Sequence, residues 1–242
     1  MGFMQQALAE AESRVPHWLQ SLQARGQSRW SAGTLPTRRT EAWKYTPLTG
    51  LRDDYRVVAA TDVAPAELPA ALVEGLGGVR LVFVDGVYQS SLSSDTLPEG
   101  VELCRFADAS DEQAALIGEH LDTLVDDKGE PFASLNTATL RDGVFLQVAA
   151  NADVQTPVHL LWLVRAADGP TAISQRLLVL AGSGSRATVV EQFLSLNGAE
   201  ASFTSGVTEL KLEANAKLHH YRLHEESGEA IHIGAVHAQL ER

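Results

Sequence analysis

Cysteine is almost missing from this chain of 242 residues, and Cys104 stands alone. One thiol excludes an internal disulfide, and it cannot hold a metal–sulfur cluster, which takes about four thiolates. Long apolar runs are missing too. Nothing reaches the length of a membrane-spanning helix, and the opening Met1-Gly2-Phe3-Met4-Gln5-Gln6 has no charged segment leading into an apolar one. A cytoplasmic location is the resulting expectation. Basic residues are in short supply, 19 Lys and Arg against 31 Asp and Glu, for a net charge of −12. Such a surface repels a nucleic-acid duplex and an anionic membrane, so neither is expected as a partner. Gly182-Ser183-Gly184-Ser185-Arg186 lacks the Gly-Lys-Ser/Thr ending and following helix of a phosphate loop, and no serine sits in a Gly-x-Ser-x-Gly turn.

What the chain does contain has two characters, within a length that suits one large or two ordinary domains. The first 140 or so residues alternate helical and extended patterns. Residues 4–14 have helical propensity, and Pro16 suits the start of a second helix carrying Trp18, Leu19, Leu22 and Trp30, ended between Gly33 and Pro36. Residues 55–58 read as a short strand and 66–76 as a helix closed by Gly77-Gly78. Two β-rich runs, 79–84 and 87–90, are joined by Asp85-Gly86, the clearest hairpin signal in the chain, which makes Asp85 a turn residue before a catalyst. In the alternating run 101–106, Val101, Leu103 and Arg105 share one face and Glu102, Cys104 and Phe106 the other. Cys104 therefore reads as a small hydrophobe in a strand. Ser110 and Gln113 have capping-box spacing for a helix that continues through 121–125, and Pro131 opens another. Asp126 and Asp127 read as a solvated loop.

Beyond Arg141-Asp142-Gly143 the helical pattern stops. Seven β-rich runs follow, over 144–148, 158–164, 173–180, 187–194, 202–212, 218–223 and 231–236, separated by turns rich in Gly, Asn and Asp. An antiparallel sandwich or barrel and a parallel β-helix both fit such spacing.

The histidines crowd into His219-His220-Tyr221-Arg222-Leu223-His224, followed by Glu225 and Glu226, with His232 and His237 downstream. In a strand, His220, Arg222 and His224 point to one side and His219, Tyr221 and Leu223 to the other. Two imidazoles beside a carboxylate are the ligand types of a metal centre. His220, His224 and Glu225 or Glu226 are thus candidate metal ligands of a cupin-like metal-dependent enzyme. Arg222 shares their face and repels a cation, so the expectation is an outward polar row that holds no transition metal and contains no catalytic residue.

One segment carries more identity than any other: Thr37-Arg38-Arg39-Thr40-Glu41-Ala42-Trp43-Lys44-Tyr45-Thr46-Pro47-Leu48. Physically it is one helical turn, capped by Thr37 or Thr40 and stopped by Pro47, in which Trp43 supplies buried area and Tyr45 sits at the core boundary. Nucleophile, base and orienter do not meet in it, so it reads as a clamp. Arg38, Glu41, Trp43, Lys44, Tyr45 and Pro47 resemble the R-x-x-E-x-W-K-Y-T-P-L signature of SufD-like members of the SufB/SufD family, in the SUF iron–sulfur cluster assembly system. Residues 131–136, 142–146, 157–160 and 219–223 are similar to the same family.

The resemblance implies a mainly β protein, with a helical N-terminal region over 1–140 and the start of a right-handed parallel β-helix over 141–242. In the family, further β-helix and a C-terminal helical domain follow. The resemblance thus marks the chain as an N-terminal portion whose open end is expected to self-associate. It implies a scaffold component, not an enzyme, in a complex with SufB and the ATPase SufC that builds and transfers iron–sulfur clusters. A cluster, with reduced flavin, is implied only for the full complex and not for this chain alone. The alternatives are the cupin-like enzyme and a plain protein-interaction module.

Overall fold

Strand pairing decides between the two β architectures. The structure, a computed structural model, describes residues 4–5, 7–9, 15–57, 73, 76–94, 96–125, 130–196, 198–199 and 201–242. Its strands are β1 (Val79–Val84), β2 (Val87–Tyr88), β3 (Val101–Arg105), β4 (Val144–Val148), β5 (Val158–Val164), β6 (Thr171–Ala181), β7 (Arg186–Ser195), β8 (Ser202–Leu212), β9 (Lys217–Glu225) and β10 (Ile231–Leu240). From β4 onwards each strand pairs in parallel with the next but one, never with its sequence neighbour. The result is two five-stranded sheets, ordered β2-β1-β5-β7-β9 and β10-β8-β6-β4-β3, wound as a β-solenoid of about three turns. This excludes the antiparallel sandwich and the cupin-type barrel, whose sheets are antiparallel.

The turns stack as well as the strands. The amide of Asn151 donates to the Ser183 carbonyl at 2.8 Å, and that of Gly184 to the Ala214 carbonyl at 2.9 Å. Between the sheets the side chains form one apolar column in the early turns, with Leu146, Val148, Leu160, Trp162, Leu177, Val179, Val189 and Phe193 all buried. At the start of the stack the hairpin β1–β2 turns at Asp85 and Gly86, both at positive φ, and β3 closes the other sheet antiparallel to β4. The second strand of that hairpin is shorter than expected, because Ser90–Leu92 turns into a 3₁₀ helix. In β3 the alternation holds, with Leu103 packed on the inter-sheet core and Cys104 on the cluster outside it with Phe106.

Three helices bear on the outer face of the β4–β6–β8 sheet: α1 (Gln20–Ala32), α2 (Asp111–His120) and α3 (Pro131–Ala138). The capping box of α2 forms as read, with Ser110 accepting from the Gln113 amide at 3.2 Å and Gln113 returning the bond. Its expected continuation through 121–125 does not form. Asp122 adopts a positive φ, and the amides of Asp122 and Leu124 donate instead to the Glu209 carboxylate at 2.8 and 3.2 Å. Only Arg56 of the expected strand over 55–58 pairs, as an isolated bridge to Thr171, and Val58 lies outside the described residues. Most of the expected helices over 4–14 and 66–76, and the Asp126-Asp127 pair, lie outside them too.

Glu209 belongs to a buried ionic network that joins helices to sheet. The Arg176 guanidinium on β6, without solvent exposure, donates to Glu209 at 2.7 Å and Asp122 at 3.2 Å, and to Asn136 and Thr137 of α3 at 3.0 and 3.2 Å. Arg29 of α1 closes the set by pairing with the other oxygen of Asp122. Asn136 in turn donates to the backbone carbonyls of Gln175 and Ser205 at 3.0 and 2.8 Å. Removing one partner of a buried pair strands the other charge, so Arg176→Ala is expected to destabilise the fold by about 3–5 kcal/mol. Urea unfolding followed by tryptophan fluorescence reads this. Arg52→Ala, which breaks only the exposed pair with Asp54, should leave the midpoint in place. An Arg176→Ala midpoint equal to that of the parent would show that the network contributes nothing.

Candidate functional site

Polar chemistry gathers at the β9–β10 end of the stack, and it faces inward. Leu218, His220, Arg222 and His224 of β9 are in register with Ala187, Val189, Glu191 and Phe193, whose Val189 and Phe193 belong to the inter-sheet core. The sequence-predicted alternation therefore holds. The expectation that the row turns outward does not, because the register assigns these residues to the interior and His219 and Tyr221 to the outer face. Two glycines provide the space. A Cβ on Gly206 would lie 3.4 Å from Arg222 Nη2, and one on Gly234 would lie 3.1 Å from both terminal nitrogens of Arg222. The guanidinium thus fits inside the solenoid, 4.8 Å from the centroid of the Phe193 ring.

Around Arg222 the candidates separate. His220 goes to Glu191, its Nε2 2.9 Å from a carboxylate oxygen that also accepts from Thr208 at 2.7 Å, while Trp162 donates to the other oxygen at 3.2 Å. Burial pushes the Glu191 carboxyl up, but the His220 bond, the Arg222 charge and the Thr208 bond outweigh it and hold its pKa below the usual range. His224 joins Glu226, one of the two carboxylates the sequence offered beside it, and His232, which the candidate set left out. His232 Nδ1 lies 2.8 Å and His224 Nδ1 3.4 Å from Glu226 Oε2, and Thr204 donates to Glu226 Oε1 at 3.3 Å. Both imidazoles lean on Phe193, His224 stacked and His232 edge-on, each at 4.7 Å. Burial, followed by the charge of His232, lowers the His224 pKa and favours its neutral ring. Burial works against the Glu226 carboxylate, yet the bond from His232 keeps its pKa low.

Glu225 leaves this group altogether. It accepts from Gln192 Nε2 at 2.6 Å, at the end of a chain in which Gln192 Oε1 lies 3.1 Å from His159 Nε2 and Arg80 Nε 3.4 Å from His159 Nδ1. Because Arg80 only donates, His159 Nδ1 is the acceptor and its Nε2 carries the proton given to Gln192. Of the four sequence candidates, then, His220 goes to Glu191 and Glu225 to Gln192, while His224 and Glu226 stay together. Glu226 and His232 come together through a loop between β9 and β10 that strand periodicity does not describe.

Burial pushes the half-buried Cys104 thiol up to about 11, so it is not a nucleophile at neutral pH. Asp85 spends its carboxylate on the amides of Arg165 and Ala166 at 2.9 and 3.2 Å, as the turn reading anticipated. The signature segment forms a 3₁₀ turn, Glu41–Trp43, and a second, Leu48–Gly50, after Pro47. Trp43 packs 5.3 Å from Phe132. Tyr45 is not at the core boundary: it is 86% exposed, with the Lys44 ammonium 5.3 Å from its ring centroid, and Arg38 and Glu41 are exposed beside it. Pro47 ends one turn and begins the next, leaving too short a helix between to bury that face.

A parallel two-sheet stack fronted by short helices, with an R-x-x-E-x-W-K-Y-T-P-L segment packed on its outer face through Trp43, is the architecture that the family resemblance implied. The chain belongs to the SufB/SufD family. Residues 2–160 match the model of the SufBD protein N-terminal region, and residues 163–242 that of the SUF system FeS cluster assembly SufBD core domain. Relatives include the iron–sulfur cluster assembly protein SufD of Escherichia coli, 33% identical over 89% of this chain and 47% of that protein. An iron–sulfur cluster assembly SufBD family protein of Synechocystis is 30% identical over 84% of this chain and 46% of its own length. The chloroplastic protein ABCI7 of Arabidopsis thaliana is 26% identical over 82% and 42%. The chain spans about half the length of these curated relatives. Among the described residues no helix is long and apolar enough to cross a membrane.

The buried His159 gives this geometry a pH signature. Burial first, then the Arg80 charge, lowers its pKa from 6.5 to about 4. The unfolded chain therefore takes up this proton at a higher pH than the folded one, and stability is lost as pH falls from 6.5 towards 4. His159→Gln keeps a polar side chain without the titration, so its urea midpoint should fall less than the parent's between pH 7 and pH 5. Identical slopes in the two proteins would remove His159 from the account.

Proposed function

We propose that the chain is a scaffold component of a SufBCD-type complex, assisting the assembly and transfer of iron–sulfur clusters without catalysing a reaction itself. The observation that carries this reading is the match of two consecutive family models to residues 2–160 and 163–242, on a solenoid of parallel turns. Membership of the family supports interaction with other Suf proteins, and the names of its relatives are those of assembly proteins. Among the described residues the chemistry agrees: the single thiol is raised out of the reactive range and Asp85 is committed to backbone amides. In this reading an iron–sulfur cluster is handled at the level of the complex, with ligands that one cysteine cannot supply. The exposed Arg38, Glu41, Lys44 and Tyr45 offer a contact surface that the fold itself leaves unused.

Co-expression of the chain with SufB and SufC from one source tests the reading. Co-elution with either partner through size exclusion is expected, and Tyr45→Ala should leave the chain folded. Elution of the chain alone at its own mass, with SufB and SufC in a complex without it, would overturn the proposal.

A further inference from the structure

His224, Glu226 and His232 turn three ligand atoms of the right chemistry towards one point. The geometry points to a mononuclear site for a divalent transition metal of the zinc or ferrous type, held by His224 Nδ1, Glu226 Oε2 and His232 Nδ1. The inference does not depend on the proposed scaffold role.

One ligand atom from each of the three residues lies within 4.8 Å of the others. Ligands roughly 2.0–2.2 Å from a tetrahedral zinc are separated from each other by about 3.4 Å. Glu226 Oε2 already lies 2.8 Å from one imidazole nitrogen and 3.4 Å from the other, on the scale of the separations between ligands of one metal ion. Two imidazoles and one carboxylate form a donor set used by both zinc and non-haem ferrous centres, and they leave positions open for water or a further ligand. The supporting shell is built. Thr204 holds the far oxygen of Glu226 at 3.3 Å, and Phe193 backs both rings at 4.7 Å. Access is also provided, because the His224 side chain is 43% exposed while Glu226 is 7% exposed.

Arg222 is the reason the sequence argued against a cation here, and its position changes that argument. Its guanidinium does not lie between the ligand atoms. Nη2 approaches the opposite edge of the His232 ring, 3.3 Å from Nε2, and Nε faces Glu191 at 3.7 Å. Arginine only donates, so this contact makes Nε2 the acceptor and puts the His232 proton on Nδ1, where it bonds Glu226. A metal at Nδ1 needs the other tautomer. Binding therefore requires the proton to move to Nε2, and Arg222 to withdraw towards Glu191, whose carboxylate is already its neighbour. The site is metal-competent with an internal competitor, and Arg222 sets how tightly it closes.

Calorimetric titration of Zn²⁺ into the untagged chain tests this. One saturable equivalent is expected. Glu226→Gln and His232→Gln should each weaken it by more than about tenfold, on the scale by which even supporting residues alter metal affinity. His219→Gln, on the opposite face of β9, should bind like the parent. Arg222→Gln removes the competing donor and provides an amide oxygen for the Nε2 proton, so it should bind more tightly than the parent. The circular dichroism of each variant identifies one that fails to fold, and the two independent ligand substitutions keep the test decisive. Absence of saturable binding, undiminished binding in both ligand variants, an equal loss on His219→Gln, or weaker binding by Arg222→Gln would each overturn the assignment.

Discussion

The burial of Arg176 is the constraint on which the rest of the structure depends. A guanidinium without solvent exposure has to find acceptors in the protein, since an unpaired charge in the interior costs far more than a domain can spare. Its four acceptors come from three places: Glu209 on the neighbouring strand, Asp122 after α2, and Asn136 and Thr137 on α3. With Arg29 of α1 added, two positive groups face two negative ones. Apolar contacts alone would let the helices slide over a flat sheet of Val, Leu and Phe. The hydrogen-bond demands of this network, and the insertion of Asn136 between the carbonyls of β6 and β8, select one register. The network thereby ties the helical region to the solenoid.

Along the stack the interior changes from apolar to polar. In the first turn it is Leu146, Leu160 and Trp162, and in the second Glu191 appears among Leu177, Val179 and Phe193. By β9 the inward positions are His220, Arg222 and His224. Each polar group leans on the previous turn: Trp162 donates to Glu191, Glu191 receives His220 and faces Arg222, and Arg222 reaches His232. A parallel stack makes this possible because equivalent positions of successive turns lie directly above one another. A ladder of side chains can therefore continue through the core in a way that an antiparallel sandwich, with opposed faces, does not provide.

Much of the fold was legible in the sequence, and the reason is periodicity. The seven β runs after Gly143 correspond to β4 through β10, and Asp85-Gly86, Ser110 with Gln113, and Pro131 each do what their local chemistry dictates. The parallel pairing came from the family resemblance, since alternation alone fits either architecture. The site was less legible. Period two correctly placed His220, Arg222 and His224 on one face, but it cannot say whether that face is the inside of the stack. Glu191 and Arg222 are far apart in sequence and neighbours only through strand register, and Glu226 meets His232 across a loop. The buried Arg176 network has no local signal at all, because each member is an ordinary charged or polar residue until the sheet and helices meet.

The family segment shows the same division within a few residues. Trp43 packs on Phe132, which lies 6.1 Å from Phe203 of β8, and the surrounding cluster takes in Tyr55 together with Ile231 and Ile233 of β10. A segment near the start of the sequence is therefore fastened to a strand near its end, across the outer face of the stack. That explains its apolar members and nothing else. Lys44, Tyr45, Arg38 and Glu41, in and around the same turn, are all exposed. An aromatic ring left 86% exposed beside a lysine has area to offer. The clamp thus fixes where this surface is displayed, with one half of the motif holding the other in place against the solenoid.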